Sequence, residues 1–198
     1  MTVRIIASAL ALICPAFAPT IARAAPVTID VRGRDGAPLV DAVVMVEVAG
    51  VRPQVPHGPY VVEQKGIAFQ PHVLVVPVGA SVAFPNRDSV RHHVYSFSKA
   101  KKFDLKLYGR EDQRSVVFNT AGVVALGCNI HDTMSGFVIV SATPYAAKVN
   151  AAGRVTFDVP PGTVTVRVWS PSIRAAGNTL SQTSTIAATG FATTYTIR

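Results

Sequence analysis

Apolar residues along most of the chain fall in short runs, some alternating with polar residues and some unbroken, and each run is cut off by Gly, Pro, Asn or Asp. A period of two sends successive side chains to opposite faces, so these runs read as β-strands. Near the start, 27–31 and 42–48 are rich in β-forming residues. Arg34-Asp35-Gly36-Ala37-Pro38 between them has Asp, Gly and Pro in turn-forming places, and the spacing predicts a hairpin. A second pair, 154–159 and 163–169, flanks Pro160-Pro161-Gly162, and its later strand alternates strictly. Between the pairs, 72–78, 81–84, 94–97, 115–118, 123–126 and 137–140 repeat the rhythm, with turn signals at Gly79, Pro85-Asn86, Gly109 and Gly122. Beyond the first residues there is no helical period, internal repeat or low-complexity tract. The expected fold class is all-β, as a Greek-key sandwich or barrel.

The first residues break this pattern. Arg4 precedes an apolar stretch over 5–17, and Ala22-Arg23-Ala24 has the small-x-small form of a cleavage site, so 1–24 reads as a secretory signal removed after Ala24. The stretch falls short of the roughly 20 residues a spanning helix needs. A lipoprotein start at Cys14 lacks the small residue expected just before it, because Leu12-Ile13 stands there. No membrane span is expected in the mature chain, and the expected location is the periplasm. Cleavage removes Cys14 and leaves Cys128 alone in an oxidising compartment, where an unpaired thiol calls for an explanation. It also removes Arg4 and Arg23 but no acid, taking the net charge from +8 to +6. Such a basic surface fits acidic protein partners or plain solubility; no nucleic-acid partner is expected. At 198 residues the chain can bury a real core without a staple.

Cys128 finds its explanation in Gly127-Cys128-Asn129-Ile130-His131-Asp132-Thr133-Met134, where a thiolate, an imidazole and a thioether follow a strand. Soft sulfur donors suit copper(I) and imidazoles tolerate copper(II). Two His and one Cys with a distant axial Met make up the blue-copper electron-transfer set. The second imidazole is offered by His92-His93, on a separate upstream run that could converge with the first at one end of a sandwich. The expected metal ligands are therefore His92, Cys128, His131 and Met134, around one type 1 copper ion, with His93 open as the alternative to His92.

Two resemblances follow from these residues. Gly33 to Val44 and Asn150 to Gly162 resemble the two ends of a carboxypeptidase-regulatory-like, or transthyretin-like, β-sandwich, here separated by about a hundred residues. The upstream His, Cys-x2-His-x2-Met and the following Val-rich strand resemble the cupredoxin family, with a ligand loop similar to that of amicyanin. Against the Pro-His-Asn-Val motif of plastocyanin-type sequences, His92 takes the ligand place and His93 the place of the bracing asparagine. Together, and with Phe84 to Phe97 matching their motif, these segments resemble exported cupredoxin-domain proteins often labelled methylamine utilization proteins. The resemblance implies a signal over 1–24, a transthyretin-like sandwich from 25–63 and 142–198, and a cupredoxin-like copper domain inserted over 64–141. It implies one-electron transfer between a donor and an acceptor protein. The alternative is a copper module for storage, delivery or sensing.

Simpler roles exist for single residues. Cys128 alone could be a buried thiol, and His57 and His72 are given no role. Lys99, Lys101 and Lys102 could form a solvated loop or dock an acidic redox partner. Asp132 could orient an imidazole or face solvent. An enzyme is not expected: a Cys-His nucleophile here lacks an oxyanion loop and a third orienting group. His131, in the loop, is the candidate exit for the electron.

Overall fold

The computed structural model describes residues 23–197, so the signal expected over 1–24 lies outside them except for its last two positions. All of its strands follow in chain order: β1 Ala25–Arg32, β2 Val43–Val48, β3 Tyr60–Val61, β4 Glu63–Gln64, β5 Phe69–Gln70, β6 Val73–Pro77, β7 Ala80–Ala83, β8 His92–Ser98, β9 Lys101–Tyr108, β10 Ser115–Phe118, β11 Gly122–Cys128, β12 Ser135–Ser141, β13 Tyr145–Lys148, β14 Arg154–Val159, β15 Gly162–Trp169, β16 Thr179–Ile186 and β17 Phe191–Thr196. One 3₁₀ turn, Ala176–Asn178, interrupts them, and no helix among the described residues is long and apolar enough to cross a membrane. The fold is all-β.

Two sandwiches share the chain. In one, the sheet β14-β1-β17 faces the sheet β13-β2-β15-β16. Val27, Ile29 and Val31 of β1 meet Val44 and Val46 of β2 and Val164, Val166 and Val168 of β15 in a common core. Fully burying each such side chain is worth about 1.5–3 kcal/mol. In the other, β10-β7-β3 faces the sheet β6-β12-β11-β8-β9, around Val82, Phe84, Phe118, Val94, Val124 and Val138. Tyr60–Val61 already pair with β7, so the chain enters this second sandwich before Gln64.

The hairpin expected of 27–31 and 42–48 does not form. β1 pairs with β14 and β17, whereas β2 pairs with β13 and β15 on the opposite sheet. The downstream pair behaves alike: β14 joins β1, and β15 joins β2 and β16. In both cases the connection crosses between layers. Alternation tells which face of a strand is buried, and both halves of an arch bury the same face as both halves of a hairpin would. The first crossing is tied down at Gly153 (φ 71°), where a Cβ would meet Val31 O at 2.6 Å and only glycine allows the approach.

A third cluster joins the sandwiches. Val43 and Trp169, with Met45 beside them, pack on Val73, Val75, Phe137 and Ile139, and the Phe137 and Trp169 rings meet at 5.0 Å. β2 and β12 are thus buried on both faces, which is why they read as unbroken apolar runs.

Candidate metal centre

β8 begins and β11 ends at the same edge of the larger sandwich, because the two are antiparallel neighbours with Cys128 opposite Val94. The inward phase of β8 carries His92, Val94 and Ser96, all buried. His93 and Tyr95 take the outward phase, and the His93 ring leaves the centre for Asp104, with Nε2 at 2.5 Å from Oδ1. Residues 129–134 return the chain to β12. Met134 N–H donates to His131 O at 2.9 Å, closing a turn, and Asn129 N–H donates to His93 O at 3.2 Å, tying the loop to β8.

One donor atom each from His92, Cys128 and His131 lies within 4.8 Å of the others. His92 Nδ1 is 3.9 Å from Cys128 Sγ, and the two imidazoles meet edge to face at 5.1 Å. Donors about 2.0–2.3 Å from one ion stand about 3.5–4 Å apart in a trigonal plane, so the separation fits a shared metal. His131 Nδ1 is buried and has no hydrogen-bond partner among the described residues. A buried ring nitrogen left unpaired beside a thiol and a second imidazole is costly without a ligand to satisfy it. Met134 is 2% exposed and belongs to the same buried cluster as Cys128. The donor set, two nitrogens and a thiolate with a buried thioether close in sequence, suits copper.

The support behind His92 could not be read from local sequence. Asp88 Oδ2 lies 2.9 Å from His92 Nε2. Asp88 in turn accepts Gly66 N–H at 2.7 Å and Ile67 N–H at 3.0 Å, both from the turn between β4 and β5. Burial alone would raise the Asp88 carboxyl, but the bonds from Ile67, Gly66 and His92 outweigh it and hold it below the usual carboxylate range. As an anion Asp88 can only accept, so Nε2 carries the His92 proton and Nδ1 keeps its lone pair toward Cys128. Asn86 steadies the same loop, accepting Asp88 N–H at 2.9 Å and donating to Val90 O at 2.8 Å. The signal for both residues was their place in the Phe84 to Phe97 motif. Asp132 is exposed; His57 is exposed, and His72 faces Asp41 at 3.1 Å, away from the cluster.

No protein-family model matches the chain, and no curated protein matches it. Solved structures similar to it include a purple cupredoxin from Nitrosopumilus maritimus, at 26% identity over 42% of this chain and all of that one, with a TM-score of 0.38. A copper-containing nitrite reductase from Thermus scotoductus matches at 26% identity over 49% of this chain and 25% of its own, with a TM-score of 0.41. An amicyanin mutant in its copper(I) form matches at 25% identity over 50% of this chain and 98% of its own, with a TM-score of 0.39.

Proposed function

We propose that this chain is an exported, periplasmic type 1 copper protein that passes single electrons between a donor and an acceptor protein, its one ion held by His92, Cys128, His131 and Met134. The observation that carries this reading is the convergence of His92, Cys128 and His131 to within 4.8 Å of one another. Bound there, copper would supply a reversible one-electron couple, with the thiolate and thioether favouring the reduced ion and the imidazoles the oxidised one.

The chain's own residues do the rest. Adjacent strands fix His92 and Cys128, and Asp88 fixes the tautomer and direction of the His92 ring, so the donors need little movement when the site's charge changes. Cys128 at 4% exposure and His92 at 0% keep water from the thiol. His131 is half-buried beside Ile130, which is 51% exposed, and this supports the loop as the place where electrons cross to a partner. The flanking sandwich is proposed as transthyretin-like, and kinship with the exported methylamine utilization proteins belongs to the same proposal.

The deciding experiment is the visible and electron paramagnetic resonance spectrum of the copper(II)-loaded mature chain. An intense thiolate-to-copper band with a reversible one-electron potential is expected. A colourless copper complex would overturn the carrier reading and leave storage, delivery or sensing.

A further inference from the structure

The outward face of the five-stranded sheet carries apolar side chains on β6, β12 and β8, and only part of it is covered. Over β6 and β12 it lies beneath Trp169, Val43 and Met45 of the other sandwich. Over β8 and β9 the described residues leave it open: the Tyr95 and Phe97 rings meet tilted at 5.1 Å, and Phe97 is 77% exposed. Single exposed apolar residues are ordinary, but an aromatic pair in contact, continuing a face that elsewhere forms an interface, is the composition of a contact centre.

The rim is cationic. Lys102 lies opposite Phe97 on β9, and Lys99 sits in the turn between β8 and β9. Among the described residues the lysines held by acids are Lys106 and Lys148, so Lys99 and Lys102 have no acidic partner there. Asp104, the acid on this face, is already bonded to His93 and Lys106. β9 is an edge strand, and its lysines oppose strand addition, so a partner would approach the face rather than extend the sheet. The face also reaches the metal centre. Tyr95 lies so close on Gly127 that a Cβ there would meet its Cζ at 2.8 Å, and Gly127 directly precedes Cys128.

We propose that the outward face of the β8–β9 hairpin, a surface apart from the His131 loop, docks an acidic redox protein, with Tyr95 and Phe97 at the centre of the contact and Lys99 and Lys102 as its charged rim. The redox character of the partner rests on the copper reading; the docking rests on the apolar centre and the unpaired cations. Opposite charge steers encounter and fixes orientation, and the aromatic centre holds the complex.

The test is a nuclear magnetic resonance titration of the ¹⁵N-labelled mature chain with an acidic plant-type ferredoxin as probe, at about 0.01 M and about 0.15 M ionic strength. Amide shifts are expected along β8, β9 and at Gly127, with affinity falling by about tenfold or more at the higher salt. Phe97→Ser and the double change of Lys99 and Lys102 to Glu should each weaken binding by about tenfold. Val117→Ser, exposed on the opposite sheet, should leave it unchanged. Shifts centred on Ile130 or on the arginine-lined cavity of Arg87, Arg110 and Arg114, salt-independent binding, or full affinity in the double variant would overturn the proposal. The titration reads amides rather than copper, so a colourless protein would sink the electron-carrier reading without deciding this one.

Discussion

An imidazole whose Nε2–H is held by a carboxylate offers Nδ1 as a lone pair, and in His92 that lone pair faces the Cys128 sulfur at 3.9 Å. Asp88→Ala frees the ring to rotate and to exchange tautomers. Copper(I) affinity, measured by competition with a chelator, should fall about 10–100-fold, while thermal unfolding of the copper-free chain shows whether the variant still folds. An unchanged affinity would mean that packing alone aims the ring. Cys128→Ser should remove the visible band altogether, since no other thiol remains in the mature chain expected from the sequence. At this scale the nearness of Cys128 and His131 was legible because they sit within four residues, with Met134 three further on. The choice between His92 and His93 was not. Val94, Tyr95 and Phe97 put apolar side chains on both faces of the run, and only the assembled sheet fixes which phase points inward. Asp88 was harder still, because its backbone partners Gly66 and Ile67 come from a distant turn.

At the scale of the strand, apolar periodicity was informative where a strand buries one face and silent where it does not. β16 and β17 are largely Ser and Thr, are mostly half-buried or exposed, and gave no period to read. β9 carries Lys101, Lys102 and Lys106, with Lys106 in the left-handed region (φ 59°) beside a register shift, and its first lysines looked like a solvated loop. Which strands pair was also hidden, and Asp30 shows why: its cross-strand partner is Arg154, 124 residues away. Asp30 and Arg154 lie opposite each other on β1 and β14, and Arg154 donates to both carboxylate oxygens, at 3.0 and 2.9 Å. The side-chain bond from Arg154 holds the Asp30 carboxyl below its usual range despite burial. A depressed folded value means stability present above the unfolded carboxylate value of about 3.9 and lost as pH falls toward the lower folded one. Urea unfolding of the natural chain should therefore weaken below about pH 4, and Asp30→Asn should flatten that part of the profile. Identical slopes in the two proteins would show that the pair is too screened to matter.

At the scale of the molecule, the question is whether the two sandwiches unfold as one. Their shared cluster is small but well made: Trp169 at 1% exposure, Val43 at 0%, Val73 at 2% and Ile139 at 1%, with Phe137 edge-on to the indole. The unbroken apolar runs of β2 and β12 were the sequence's sign of this double burial, but a run buried on both faces looks the same whether its second neighbour is a helix, a sheet or another sandwich. Trp169 is the single tryptophan of the chain, so its fluorescence reports on this contact, whereas the visible band of the proposed copper site would report on the far edge of the larger sandwich. In urea the two signals should disappear in one coincident transition, the mark of a cooperative unit. Phe137→Ala removes the ring that meets Trp169 and should cost about 3–5 kcal/mol if the site cannot collapse. Because Phe137 lies on the outward face of β12, away from Cys128, the loss should fall on the coupling. The fluorescence transition should then move to lower urea and separate from the loss of colour. Transitions that stay coincident in Phe137→Ala would mean that the chain crossings between β2 and β3 and between β12 and β13, rather than the packed cluster, tie the sandwiches together.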